Sequence, residues 1–282
     1  LIEGNSEENR AKWALDWKKQ GKKVVGTLCS YIPEEIIYAA GMLPWRVTGT
    51  WNDNVPLASV YRPVNTCLYC THALESLLAG ELDFLDGIVA STRDDDMKRL
   101  WDVWVFVKKT PFTPILHLPH QNSEIAAKQM EKEVRKLIAG MEGLAGLIIT
   151  EEALFEAITV FNRTRDLLTE LYEMRKREVP PLSGAEILGI TTTAMVMPKD
   201  DFNRELEDLL PYLNERKTSL ESVHPRIMVS SDDLDNPAYL QLIEETGCLV
   251  AMDDLDTGSR YFTGNADTSI EDPAYAIAKN YV

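Results

Sequence analysis

The chain has 282 residues, 45% of them hydrophobic and 26% charged, with a formal net charge of −16 and a pI near 4.7. That length supports a sizeable core, in one large or two medium α/β domains. The acidic balance excludes nucleic acid and anionic membrane as main partners, since both are polyanions that require a basic face, and no apolar stretch is long enough for a membrane span.

The opening residues lack the basic and apolar regions of a secretion signal, so a cytoplasmic location is expected. Residues 6 to 20 carry Trp13, Leu15 and Trp17 among charges and predict an amphipathic helix. Val24 to Leu28 reads as a buried strand that ends at Cys29. Pro33 suits a first helical position, with Glu34 and Glu35 in the first turn and Gly41 as a stop. Leu43 to Val47 reads as a second strand, followed by a polar loop from Thr48 to Asn54. Thr66 is a candidate cap for a helix running to Gly80, which puts Cys67 in that helix's first turn. Phe84 to Ala90 reads as a third strand, Asp94-Asp95-Asp96 opens a helix through Trp104, and Ile115 to Leu118 is a fourth strand. Strand and helix thus alternate with short joints, the pattern of a doubly wound parallel sheet.

From Asn122 to about Arg216 the periodicity is helical, with breaks at Val179 to Gly184 and at Pro198 and a long helix from Thr150 to Met174. Alternation then returns: Arg226 to Val229 as strand, Pro237 to Thr246 as helix, Cys248 to Met252 as strand. The expected organisation is an N-terminal α/β domain over 1–145 and, over 146–282, a helical segment with a C-terminal α/β domain. The last helix, opened by Asp272-Pro273, runs toward Val282, and the chain starts without Met. Native residues beyond either end, with room for a ligand past Val282, are compatible with both features.

Four cysteines, Cys29, Cys67, Cys70 and Cys248, fit metal binding or packing better than a disulfide framework. Cys29 sits where strand gives way to helix. There a helix N-terminus favours a thiolate or an anionic cluster, although a buried small hydrophobe is an equal reading. Cys67-Leu-Tyr-Cys70 is a lone C-x-x-C, a spacing that serves zinc, iron–sulfur clusters and thiol–disulfide exchange alike. Cys67 shares the helix-end environment that lowers a thiol pKa. His72 lies one turn further along that helix, and His117 and His120 flank a strand end. Trp45, Trp51 and Tyr61 are candidates to bound an apolar pocket. Two later strand ends are polar: Ser230-Ser231-Asp232-Asp233, and Asp253 to Phe262 with Gly258 and Arg260. The second reads either as Asp–Arg pairing or as a ligand loop. Neither a Walker A loop nor a G-x-G-x-x-G fingerprint occurs, so direct ATP or NAD binding is not indicated.

Three segments together carry a family pattern. They are Cys29-Ser-Tyr-Ile-Pro-Glu-Glu-Ile-Ile-Tyr-Ala-Ala-Gly-Met-Leu-Pro, then Cys67 followed by Ala79-Gly80-Glu-Leu-Asp-Phe-Leu-Asp86-Gly87, and Asp253-Asp254-Leu-Asp-Thr-Gly258-Ser-Arg260-Tyr-Phe. With Leu118-Pro-His120, Pro181-Leu-Ser-Gly184 and Asn236-Pro-Ala-Tyr, they resemble the benzoyl-CoA reductase and 2-hydroxyacyl-CoA dehydratase subunit family. The resemblance implies two Rossmann-like (flavodoxin-like) domains and a [4Fe-4S] cluster held by three cysteines. It also implies a related sister subunit in a heterodimer, an acyl-CoA substrate, and a separate ATP-hydrolysing iron–sulfur activator, so that ATP would not bind this chain. The activity implied is one-electron reduction of a CoA thioester of the benzoyl-CoA reductase type. Radical water elimination from a 2-hydroxyacyl-CoA, a double-cubane cluster reductase, and a non-catalytic structural or CoA-binding subunit are the alternatives. Carried over, Cys29 matches the first cluster cysteine, and Cys67 rather than Cys70 the second, by its distance to Ala79-Gly80-Glu81. At the third position the family's cysteine is replaced by Asp256. Either the carboxylate or Cys248, eight positions earlier, completes the set, or the cluster is held differently or not at all.

Overall fold

A computed structural model describes residues 1–6, 9–49, 54–63, 65–216, 218 and 225–282. Trp51, with Thr50, Asn52 and Asp53 of the expected polar loop, and Val64 before the C-x-x-C, lie outside the described residues. The chain divides into two compact units. One consists of Ala14–Phe161 and Asn265–Val282, the other of Leu1–Trp13 and Asn162–Gly264. The class is α/β with parallel sheets, as the alternation predicts. Among the described residues no helix is long and apolar enough to cross a membrane.

The first unit holds a four-stranded sheet of β1 (Val24–Thr27), β2 (Leu43–Arg46), β3 (Gly87–Ser91) and β4 (Ile115–Leu116), all parallel, in the order β2-β1-β3-β4. Every residue of β1, β2 and β3 is buried, which is why these strands read as continuous apolar runs rather than as an alternation. Trp45 on β2 is part of this core, edge-on to Phe84 with ring centroids 5.1 Å apart, and so does not bound a pocket as expected. The helix expected over residues 6 to 20 is shorter, α1 (Lys12–Lys19). Before it the chain turns, with the Asn9 amide donating to the Glu3 carbonyl and to Ser6 Oγ. Asp86 fixes the start of the sheet by accepting from the Val24 N–H at 2.8 Å while its other contact is the Lys18 ammonium.

The crossovers are α2 (Glu34–Ala39), α3 (Leu68–Leu78) and α4 (Asp95–Val107), and α5 (Glu124–Ala145) follows β4. Pro33 is the N-cap of α2, one position earlier than predicted, and Gly41 closes it at φ 72°, a conformation that costs a Cβ-bearing residue about 1 kcal/mol or more. The last segment of the chain returns to this unit as α10 (Pro273–Asn280), capped by Asp272 and packed along α5. Tyr281 donates from its hydroxyl to Glu35 at 2.8 Å, and Arg135 of α5 pairs with Asp272.

The helix α6 (Glu151–Glu173) starts as expected, with Thr150 Oγ1 accepting from the Ala153 N–H, and contributes residues to both units. In the second unit α7 (Gly184–Ala194) opens on a capping box of Ser183 and Glu186, and α8 (Lys199–Glu215) follows Pro198. Leu167, Leu171, Ile187, Ile190, Phe202 and Leu206 form its main core. Strands β5 (Arg226–Ser230) and β6 (Leu249–Asp254) pair in parallel, joined by α9 (Pro237–Glu244), with a register irregularity at Ile227/Met228.

Arg175 and Asp253 form a buried ion pair in this unit, each side chain 4% exposed, and the same guanidinium donates to the Val250 carbonyl at 3.0 Å. Replacing Arg175 by Leu leaves a buried carboxylate without its cation. The expected cost is about 3–5 kcal/mol, read as a lower urea midpoint, and Arg175→Leu with Asp253→Leu together should recover part of it.

Candidate functional site

The order β2-β1-β3-β4 means that the chain moves to one side of β1 for β2 and to the other side for β3. In a parallel sheet the crevice outside the carboxyl ends at such a reversal is the place where ligands bind. Cys29 lies just beyond β1 and Ser91 is the last residue of β3, and across this seam Cys29 Sγ and Ser91 Oγ are 3.0 Å apart. Cys29 is fully buried. Beside it stands Arg46, the charged last residue of an otherwise apolar strand. Its guanidinium donates to Ser30 Oγ at 3.0 Å and reaches Thr27 Oγ1 at 3.4 Å. Sequence reading passed over Arg46, although a cation inside a buried strand was the available signal.

Cys67 reaches the same edge from the β2–α3 connection. It is the N-cap of α3, with φ −51° and ψ 128°, and not a first-turn residue capped by Thr66. The reason is local: Thr66 Oγ1 donates to the Pro63 carbonyl at 2.8 Å, while the Cys67 N–H donates to an Asp96 oxygen at 3.2 Å. Asp96 is in turn held by Arg62, whose Nη2 lies 2.6 Å from the other carboxylate oxygen. Asp94 caps α4 by accepting from the Met97 N–H at 2.7 Å. The acidic triplet thus acts as a helix-start cluster, and Asp96 does a second job that sequence spacing did not reveal.

The Cys67 thiol is lowered from the ordinary value of 9.0 to about 6. The largest cause is the hydrogen bond from the Cys70 thiol, opposed by partial burial and helped by the N–H groups of Cys70 and Tyr69. Asp96 works the other way through its charge. Cys70 itself is buried in α3, and Tyr69 between them donates its hydroxyl to the carbonyls of Leu28 (3.0 Å) and Val47 (2.6 Å), tying α3 to the ends of β1 and β2.

A cavity of about 300 Å³ opens at this edge, lined among others by Tyr31 after β1, Arg93 after β3, Leu118 and His120 after β4, and Tyr281. His120 therefore faces the cavity, whereas His117 is engaged through its backbone N–H with Glu133 at 3.3 Å. Tyr61 is 44% exposed, and His72 rides on α3 itself.

In the second unit Asp253, Asp254 and Arg260 occupy the carboxyl end of β6. Arg260 holds Asp254 with both edges of its guanidinium, at 2.5 and 2.7 Å, so the Asp–Arg pairing alternative describes this part of the loop. Gly258 is required there by space, since a Cβ would sit 2.3 Å from Asp253 Oδ1, the atom that accepts from the Ser259 N–H. Asp256 is buried just beyond the strand. Cys248 precedes the other end of β6, where its thiol donates to the Ile243 carbonyl at 3.1 Å and finishes α9. Six strand residues separate these two candidates, a distance of about 20 Å at ~3.3 Å per residue.

Among the described residues no three His, Cys, Asp or Glu side chains are gathered so as to hold a metal ion. In kind, however, the donors fit iron: all four cysteines are free thiols, and the lowering of the Cys67 thiol to about 6 favours the thiolate, the form that binds metal.

The family model of the 2-hydroxyglutaryl-CoA dehydratase D-component matches residues 29–282, beginning at Cys29. The chain belongs to this family. It is 30% identical over 269 residues to the β subunit of (R)-2-hydroxyglutaryl-CoA dehydratase from Acidaminococcus fermentans, covering 94% of this chain and 70% of that one. It is 25% identical to a benzoyl-CoA reductase subunit of Thauera aromatica, over 91% of this chain and 68% of that protein. The (R)-phenyllactyl-CoA dehydratase β subunit of Clostridium sporogenes is 24% identical, over 94% and 71%.

The lowered thiol makes a direct prediction. A depressed pKa stabilises the fold above the unfolded value and loses that contribution as pH falls from 9.0 through about 6. The iodoacetamide reactivity of Cys67 should accordingly titrate near pH 6, and in Cys70→Ala the midpoint should move upward, toward 9. Peptide-resolved mass spectrometry reads both, and an unchanged midpoint in the variant would show that the Cys70 thiol is not the cause.

Proposed function

We propose that the chain is an iron–sulfur subunit of an ATP-activator-dependent enzyme acting on a CoA thioester, and that its reaction is elimination of water from a 2-hydroxyacyl-CoA. The match of the dehydratase family model from Cys29 onward carries this reading, together with the 30% identical dehydratase β subunit. Reduction of an aromatic acyl-CoA is the second reading, favoured by the likeness to a benzoyl-CoA reductase subunit. A double-cubane reductase and a subunit without a cluster complete the alternatives. The relatives are named as subunits, which supports a related sister subunit here. A separate ATP-hydrolysing activator and a cytoplasmic location belong to the same proposal.

A [4Fe-4S] cluster, when bound, supplies single electrons at low potential to the thioester carbonyl. In this reading Cys29 and Cys67 are its ligands. Cys29 would be positioned by the end of β1 and by its contact with Ser91, and Cys67 would be kept as thiolate by Cys70 and the first amides of α3. Arg46 would offset negative charge beside Cys29. The third ligand is Cys248 or Asp256. The position of Asp256 past the carboxyl end of its strand favours the carboxylate, as does the use of the Cys248 thiol as a donor to Ile243. A carboxylate is harder than a thiolate, so the iron it holds would be the most exchangeable.

Anaerobic reconstitution with ferrous iron and sulfide tests the ligands. Cys29→Ser and Cys67→Ser should lose most of the iron and the charge-transfer absorbance, whereas Cys70→Ser should keep both. Iron loss from Cys70→Ser equal to that from Cys67→Ser would reverse the assignment of the second ligand. Of the two third-position candidates, Asp256→Ala should lower iron content more than Cys248→Ala. Turnover is decided by assaying the complex with its sister subunit, activator and ATP on aromatic and 2-hydroxyacyl CoA thioesters. Conversion of aromatic substrates alone would favour the reductase reading over the dehydratase.

A further inference from the structure

Strand β3 runs Gly87-Ile-Val-Ala-Ser91, so a fully buried apolar strand closes on a hydroxyl. The register explains which group that hydroxyl meets. Thr27 of β1 pairs with Val89, and the Leu28 N–H carries the ladder further by donating to the Val89 carbonyl at 3.2 Å. Two residues on, the same register sets Cys29 opposite Ser91, and the two side chains touch, Sγ to Oγ, at 3.0 Å. Both residues are fully buried, where a hydroxyl left without a partner is costly. Among the described residues the Cys29 sulfur is the only hydrogen-bond partner of the Ser91 side chain. Arg46 approaches from β2, the other neighbour of β1, and its guanidinium is engaged with Ser30 Oγ at 3.0 Å and with Thr27 Oγ1 at 3.4 Å. From the β3 side, the group that reaches the sulfur is the hydroxyl.

We infer that Ser91 is a positioning residue whose hydroxyl donates a hydrogen bond to the Cys29 sulfur and thereby raises the reduction potential of the iron–sulfur centre that Cys29 holds. This rests on Cys29 being a cluster ligand, as in the proposed function. In the free thiol either atom of the pair can be the donor. A metal-binding sulfur has no proton left and only accepts, so the direction is then fixed from Ser91 Oγ to Cys29 Sγ. A hydrogen bond to a ligand sulfur draws off negative charge, and it does so more strongly for the reduced centre, which carries one electron more. Burial strengthens the effect, because no water competes for the sulfur or screens the dipole. The hydroxyl comes from the end of a strand paired on both sides, so it is held in place by the sheet and not by a loop.

The test uses the full chain, reconstituted anaerobically with ferrous iron and sulfide and poised with redox dyes at the potential where half of the unmutated chain's clusters are reduced. The reduced fraction is read by electron paramagnetic resonance, per cluster loaded, so that differences in iron content do not enter. Two pairs of side chains separate the hydroxyl from its shape: Ser91 against Ser91→Ala, and Ser91→Thr against Ser91→Val. In the Ala and Val variants the ratio of reduced to oxidised clusters should fall about tenfold, which for one electron is about 59 mV, while the Thr variant should stay near the unmutated ratio. An unchanged ratio in Ser91→Ala and Ser91→Val would overturn the inference, as would a Thr variant that falls as far as Val. Loss of all cluster from both hydroxyl-free variants would overturn it too, since Ser91 would then serve assembly and not potential. Cys29→Ser tells the two failures apart. If it keeps its full iron, the ligand reading has failed and the inference falls with it. If it loses its iron while Ser91→Ala keeps the unmutated ratio, the inference alone has failed.

Discussion

Parallel pairing forces every strand of the four-stranded sheet to deliver its chain to the same edge, and the reversal of order between β1 and β3 opens a seam there. The rest of the site depends on this constraint. Cys29 and Ser91 meet at 3.0 Å because they end adjacent strands, and Cys67 arrives because α3 must start where β2 leaves off. Helix starts collect at this edge, and their unpaired N–H groups are positive ends in a chain with a formal charge of −16. The Cys67 thiol is lowered here chiefly by the Cys70 thiol, with the N–H groups of Cys70 and Tyr69 adding to it. Tyr69 locks the geometry from behind, since one hydroxyl serves carbonyls at the ends of two strands.

Most acids that look like ligands in the sequence are engaged by the protein itself. Asp86 holds Lys18 and the start of β1, Asp96 holds Arg62 and the Cys67 N–H, Asp253 holds Arg175, and Asp254 holds Arg260. Engaged in this way these carboxylates serve the fold, and Asp96 also fixes where Cys67 stands. The Asp96 pairing is the clearest case. Its carboxylate fixes the backbone of Cys67 while its charge opposes the thiolate, so the hydrogen bond from Cys70 has to outweigh that charge, and does.

In the proposed reading, the third ligand position sets topology against donor type. Thiolate is the softer donor, which favours Cys248 on ligand type. Yet Cys248 enters β6 at its amino end and spends its proton on the Ile243 carbonyl, whereas Asp256 leaves the strand at the carboxyl end. If Asp256 holds iron as proposed, its oxygen is a harder donor than a thiolate, and iron exchange is where that difference would be felt.

Local patterns that the sequence spelled out were those settled by short-range forces: buried strands as unbroken apolar runs, Gly41 as a helix stop, Asp272-Pro273 and Thr150 as helix starts, and Cys29 at a strand end. The family was legible for the same reason, since its segments are contiguous in the chain. Contacts across many residues were not. Arg62 with Asp96, Arg175 with Asp253, Ser91 with Cys29 and Tyr69 with two strand ends each join positions whose separation carries no periodic signal. The sequence by itself thus determined the elements, the α/β class and the thiols worth watching. Only the tertiary structure decided that Cys67, not Thr66, caps its helix, that Trp45 is core, and that a lowered thiol stands at the edge, because those outcomes depend on which distant groups claim each hydrogen bond.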